Sequence, residues 1–202
     1  MYGDEEPSEY SKEVARGSFW GLAGSALFYL FSFFYTIIVA RAVSQDDLGL
    51  FFLSLGIVSL IAVFDNLGLD NSIVRYVAYF EGRGERSRIR NLLKLSYISV
   101  ISTAIVLMGL LYWQADNIGA IYKNPMLADS IRLLSLYLLL SNIFSVNTSL
   151  IRAFGNIRFL QLITNLQNGL KLVLTAVLIY LSGPSVAVLS IAFLLSFLPA
   201  IL

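Results

Sequence analysis

No cysteine and no histidine occur among the 202 residues. Their absence excludes disulfides and thiolate or imidazole metal sites, and it removes the usual general base near neutral pH. Redox compartment stays open. Charge is scarce too: Asp, Glu, Lys and Arg make up 13% of the chain and leave a net charge of only +1. No cofactor, bound metal or nucleic-acid partner is expected. What fills the space instead is apolar: 57% of the residues are hydrophobic and mean hydropathy is +0.76, well above ordinary soluble usage.

The apolar residues fall in six runs, read as Phe19–Ala40, Leu48–Phe64, Leu92–Trp113, Ile131–Ile151, Phe159–Leu181 and Val186–Leu202. A helix needs roughly 20 mostly apolar residues to cross ~30 Å of hydrocarbon at ~1.5 Å per residue. The expected fold class is therefore all-α, a polytopic membrane bundle of six transmembrane helices spanning residues 17–202. Residues 1–16, with Asp4, Glu5, Glu6 and Pro7, read as a polar tail. The run behind them is too long for the core of a cleaved signal, and no small-x-small site follows it.

Basic residues lie on alternate connections. Ten of them (Lys12, Arg16, Arg75, Arg83, Arg86, Arg88, Arg90, Lys94, Arg152 and Arg158) fall on one side. Three (Arg41, Lys123 and Arg132) fall on the other, and Lys171 lies inside a run. The positive-inside rule then places the N-terminus in the cytoplasm of a multi-pass protein of the cell membrane. Trp20 at the inner end of the first span and Tyr112–Trp113 at the outer end of the third suit interfacial belts. In the long connection Asp65–Asn91, Asp70 or Asn71 is expected to cap a short helix over Ser72–Phe80. Gly82 and Gly84 break it, and Glu85–Lys94 reads as a basic amphipathic lead into span three.

Three spans carry polar stripes. Gln161, Thr164, Asn165, Asn168, Lys171 and Thr175 share an arc of about 120° on span five. Ser141, Asn142, Ser145, Thr148, Ser149 and Arg152 share another on span four, and Ser18, Gly21, Ser25, Tyr29, Ser32 and Thr36 form a narrower line on span one. Lipid cannot satisfy such faces, so they should turn to a neighbouring helix or a water-filled cavity. Gly17 and Gly21, four residues apart, suit close helix packing. Lys171 is the costliest residue, at ~2.5–3.5 kcal/mol for mid-membrane insertion. The sequon Asn147-Thr148-Ser149 lies within a span and is discarded as a glycosylation site.

Particular segments carry a family resemblance. Ala40-Arg41-Ala42-Val43-Ser44-Gln45-Asp46-Asp47-Leu48-Gly49-Leu50-Phe51, then Asn66-Leu67-Gly68-Leu69-Asp70-Asn71, Val74-Arg75-Tyr76, Gly82-Arg83-Gly84-Glu85 and Arg152-Ala153-Phe154-Gly155, resemble the oligosaccharide flippases. These are the polysaccharide, O-antigen and teichoic-acid exporters of the MATE-like superfamily. One departure is Ser44-Gln45, where that family usually has Gly-Pro. The resemblance implies two six-helix halves around a cavity that opens alternately to each face. This chain would supply the first half, with a C-terminal six-helix half missing.

The function implied is translocation of a lipid-linked oligosaccharide, a polyprenyl-pyrophosphate sugar, with the lipid bilayer as its surroundings. Lys171 would meet the phosphate, Asn165, Asn168 and Asn142 the sugar hydroxyls, and Tyr29 would stack on a sugar ring; Arg152 marks the inner mouth. No catalytic residue is expected. An ion-coupled exporter of small molecules would want an acid deep in a span, but Asp46, Asp47, Asp65, Asp116 and Asp129 all sit at span ends. A membrane-embedded headgroup transferase would rest on Asp65 and Asp70, about 140° apart if on one helix.

Overall fold

A computed structural model describes residues 9–66 and 68–200, and side chains from Gly17 onward except at 65, 66 and 200. The polar tail therefore lies largely outside the described residues, as does the side chain of Asp65. Helix α1 runs Glu9–Ala42, α2 Gln45–Asn66, α3 Leu69–Glu81 and α4 Arg86–Ile121. They are followed by α5 Pro125–Leu134, α6 Leu136–Ala153, α7 Ile157–Ser182 and α8 Val186–Leu195. No strand occurs among the described residues. Five segments are long and apolar enough to cross a membrane: 17–42, 45–64, 86–121, 125–153 and 157–182.

The helix starts follow local chemistry. Where the resemblance led to Gly-Pro, Ser44 caps α2 instead: the Asp47 amide donates to Ser44 Oγ at 3.1 Å, and Ser44 Oγ donates back to the Asp47 carboxylate at 2.9 Å. This reciprocal pair satisfies an orphan amide at the helix end. Asn124 accepts from the Met126 amide ahead of Pro125, Asn156 from the Phe159 amide and Ser185 from the Val188 amide. Span four begins earlier than the apolar run suggests, because Asn124-Pro125 is a strong start signal. At Ser135 it passes from α5 to α6 in right-handed helical conformation, with the Ser135 amide still donating to Ile131 O at 2.8 Å. Together α5 and α6 form the most enclosed span, 39% buried against 17–22% for the other four.

Two expectations change here. The short helix of the long connection starts at Leu69, not Ser72, and neither Asp70 nor Asn71 caps it. Gly68 precedes it at φ 81°, a left-handed conformation that only glycine adopts readily. The Asp70 carboxylate accepts instead from Ser145 Oγ at 2.6 Å, tying α3 to α6. The sixth run is also shorter as a helix. After Leu195 the chain turns at Ser196–Phe197 and tightens into a 3₁₀ turn over Leu198–Ala200. Pro199 has no amide to donate back to Leu195 and crowds that carbonyl. At ~1.5 Å per residue the ten residues of α8 reach ~15 Å, half a hydrocarbon core.

The bundle is built around α5 and α6. Phe51 and Val58 of α2, Leu111 and Ala115 of α4, Leu127, Ile131, Leu134 and Leu138 of α5–α6 and Leu189 of α8 form its main cluster. A second cluster seats α3: Ile73 and Val77 are buried against Ile89, Val100 and Val146. Tyr97 donates to Asn147, joining α4 to α6. Near the far end of α4, Arg132 reaches Asp116 at 2.5 Å and Asp129 at 3.2 Å, and stacks on Tyr112. Arg75, Arg83, Arg86, Arg88, Arg90 and Lys94 are all exposed at the α3 end.

Helix α1 (Glu9–Ala42) reaches this core only near its C-terminal end, through Tyr35 and Val39, with Val43 just beyond it, and packs chiefly on α7. Gly17 faces Ile157, Gly24 faces Gln161, Phe31 faces Gly169 and Tyr35 faces Lys171. Both numbers rise together, so the two helices run parallel. The expected Gly17–Gly21 pair is replaced by Gly17 and Gly24, while Gly21 has open space beside it.

Candidate functional site

The seam between α1 and α7 gathers the polar groups of span five. A Cβ on Gly24 would lie 2.3 Å from Gln161 Oε1, so the Gln161 side chain packs into the space that the glycine leaves. The close approach brings the Gly24 carbonyl within 3.1 Å of Asn165 Nδ2, which also donates to Gln161 O at 2.8 Å. Asn165 is thus buried as an interhelical tie. Asn168 is buried one turn on, with Nδ2 donating to Thr164 O at 2.9 Å. Lys171 is half-buried near the middle of α7, and its Nζ lies 4.7 Å from the centre of the Tyr35 ring. No carboxylate pairs with it among the described residues.

Capacity remains unfilled along this seam. Tyr35 Oη, Asn165 Oδ1 and Thr175 Oγ1 are buried without a hydrogen-bond partner among the described residues. Each such group costs ~1–3 kcal/mol if left dry and unpaired. A cation–π contact returns only ~0.5–2 kcal/mol, less than the ~2.5–3.5 kcal/mol cost of a lysine at this depth. A bound polar molecule or water at the seam would redress the balance.

The other expected residues sit on α6 and on another face of α1. Asn142 is buried on α6, with Nδ2 donating to Leu138 O at 2.7 Å. Arg152 is exposed in the last turn of α6. Tyr29 is 70% exposed and packs edge-to-face on Phe28 at 5.6 Å; it sits about 140° around α1 from Gly24. No described contact brings these three to Lys171. The polar line of α1 is largely exposed, and Ser25 and Thr36 turn their hydroxyls back to Gly21 O and Ser32 O.

Tyr35 and Gly24 were not singled out in the sequence. Tyr35 carries no periodic signal of its own, but glycines at 17 and 24 share a face two turns apart and mark the packed side of α1. The carboxylates considered for other chemistries are engaged or outside the described residues. Asp70 is bonded to Ser145, Asp116 and Asp129 hold Arg132, and Asp46 and Asp47 open α2. No group of three or more acidic residues able to hold a metal occurs among the described residues.

Five segments long and apolar enough to cross a membrane define a polytopic helical membrane protein. The chain belongs to the polysaccharide biosynthesis protein family, whose model matches residues 14–202. A comparison with curated proteins finds no match. Among solved structures it is similar to one described as the crystal structure of MATE in complex with MaD5, with a TM-score of 0.71 and 21% identity over 94% of this chain. That likeness establishes a MATE-like fold. The chain spans 44% of that protein's length.

Proposed function

We propose that the chain forms one half of a transporter that moves a lipid-linked oligosaccharide across the cell membrane by alternating access. The observation that carries this reading is the Lys171 seam: a half-buried ammonium over Tyr35 without a described carboxylate partner, beside unpaired Asn165 Oδ1 and Thr175 Oγ1. A pyrophosphate supplies the missing anion, and sugar hydroxyls can donate to Asn165 and pair with Tyr35 and Thr175. The family's name, polysaccharide biosynthesis protein, supports a substrate of this class. A second lobe, of the kind that the remaining length of the MATE structure would hold, closes the cavity. The exposed arginines of α3 and α4 support a cytoplasmic position for that end and for the N-terminus.

Lys171→Gln tests this in the intact protein, with surface polysaccharide as the readout in a strain lacking its own copy. The change removes the charge and keeps a polar group of similar reach, so export should cease while the protein still inserts. Lys171→Arg should retain part of the activity, because charge survives while geometry changes. Arg152→Gln should cost less, since its exposed guanidinium is hydrated and screened. Full export by Lys171→Gln at normal expression rules out this role for the seam.

A further inference from the structure

The α1–α7 pair has two unlike sides. At about 100° per residue, Asn168, Lys171 and Thr175 project from α7 on one side of the contact line, and Ser25, Ser32 and Thr36 project from α1 on that same side. The opposite side holds an apolar groove of about 810 Å³, with Trp20, Leu27 and Phe31 on one wall and Leu162, Leu166 and Val173 on the other. Its mouth lies at the basic end of the bundle. There Arg158 stacks on Trp20, with its guanidinium 4.9 Å from the ring centre. Arg158 is exposed and has no carboxylate partner among the described residues.

We propose that this groove holds the hydrocarbon chain of a polyprenyl-linked substrate as it enters, with Arg158 taking the phosphate at the level of the headgroups before the head moves on to Lys171. The inference rests on the proposed substrate and names where its lipid lies. Charge fixes the orientation, because a guanidinium matches a phosphate and the walls beyond it are apolar. Length selects the occupant. Along α7 the groove runs from Arg158 to Val173, which at ~1.5 Å per residue is ~22 Å. Half a hydrocarbon core is ~15 Å, so the groove passes the midplane where the chain of an ordinary phospholipid ends. The sugar would then stay on the polar side of α1 while the chain remains in contact with lipid.

The test is photolabelling of the intact protein in vesicles with a polyprenyl phosphate carrying a diazirine on its chain. Label should appear in the peptides around Leu27–Phe31 and Leu162–Val173. Unlabelled polyprenyl phosphate should displace it, whereas the uncharged polyprenol and phosphatidylglycerol should not at equal concentration. Arg158→Gln should weaken labelling about tenfold or more, the loss of one charged hydrogen bond, and Leu166→Trp should block the groove. Label found only outside these peptides overturns the proposal, as does equal displacement by phosphatidylglycerol, which marks a site for bulk lipid. Groove labelling that persists while Lys171→Gln exports normally refutes the transport reading alone. Loss of groove labelling with Lys171-dependent export intact refutes the groove alone.

Discussion

Replacing Gly24 with alanine tests whether the α1–α7 seam is as close as described. The new Cβ would stand 2.3 Å from Gln161 Oε1 and 2.6 Å from its Cδ and Cγ. Ordinary van der Waals contact begins near 3.4 Å, so helix or side chain must yield by about 1 Å. Moving the Gln161 tip alone is not enough, because Cγ is also too near. If the helices part by that much, the Asn165 bond to Gly24 O stretches from 3.1 Å to about 4 Å and is lost. An interhelical hydrogen bond in a membrane protein contributes ~0.6–1.7 kcal/mol, and overpacking costs ~1–3 kcal/mol. The expected loss is thus about 2–4 kcal/mol, measured by reversible denaturation of the intact protein in mixed micelles. Gln161→Ala removes the obstructing atoms, so adding it should restore most of what Gly24→Ala loses. The double-mutant cycle should show coupling of ~1 kcal/mol or more. An additive cycle, or a Gly24→Ala cost below ~0.5 kcal/mol, would refute the close approach.

Further expectations concern topology and the two polar ties at the bundle's ends. Single cysteines at Gly84 and Asn117, introduced into a chain that has none of its own, should differ in intact cells. An impermeant thiol reagent should label Asn117→Cys and spare Gly84→Cys, and the reverse pattern inverts the orientation. Ser145→Ala should loosen α3 by ~1–3 kcal/mol, since it removes a donor to the Asp70 carboxylate; faster amide exchange over Leu69–Glu81 would report it. Asp116→Asn should cost no more than ~1 kcal/mol and lose its effect at high salt, because Arg132 meets Asp116 and Asp129 at an exposed surface.

The long spans were legible because the bilayer imposes one requirement on each, roughly twenty apolar residues, and α1, α2, α4 and α7 meet it with little else in their sequences. The long connection was legible at one end: Gly82 and Gly84 mark where the short helix stops, while its start at Leu69 follows Gly68 rather than a side-chain cap. Apolarity misled where it was the sole criterion. It carried the sixth run through Pro199, although a proline there already forbids the bond back to Leu195, and the helix ends at Leu195. It also hid the true start of span four at Pro125, since Asp129 and Arg132 interrupt the run while pairing with each other.

The seam was half legible, and the missing half is instructive. Periodicity put Asn165, Asn168, Lys171 and Thr175 on one face of α7, and the bundle indeed buries Asn165, Asn168 and Thr175. A stripe on one helix does not name its partner. Lys171 rests on Tyr35, which belongs to no polar stripe, while Tyr29, six residues earlier on the same helix, is exposed. What selects Tyr35 is the rotation of α1, and that is set by Gly17 and Gly24, where a side chain would meet Ile157 or Gln161. Once those glycines fix the contact line, the same rotation turns Ser25 and Thr36 to one side and Trp20 and Phe31 to the other. Two glycines therefore decide which side of α1 is polar ground for a headgroup and which is apolar ground for a chain, a distinction that hydrophobicity along a single helix does not contain.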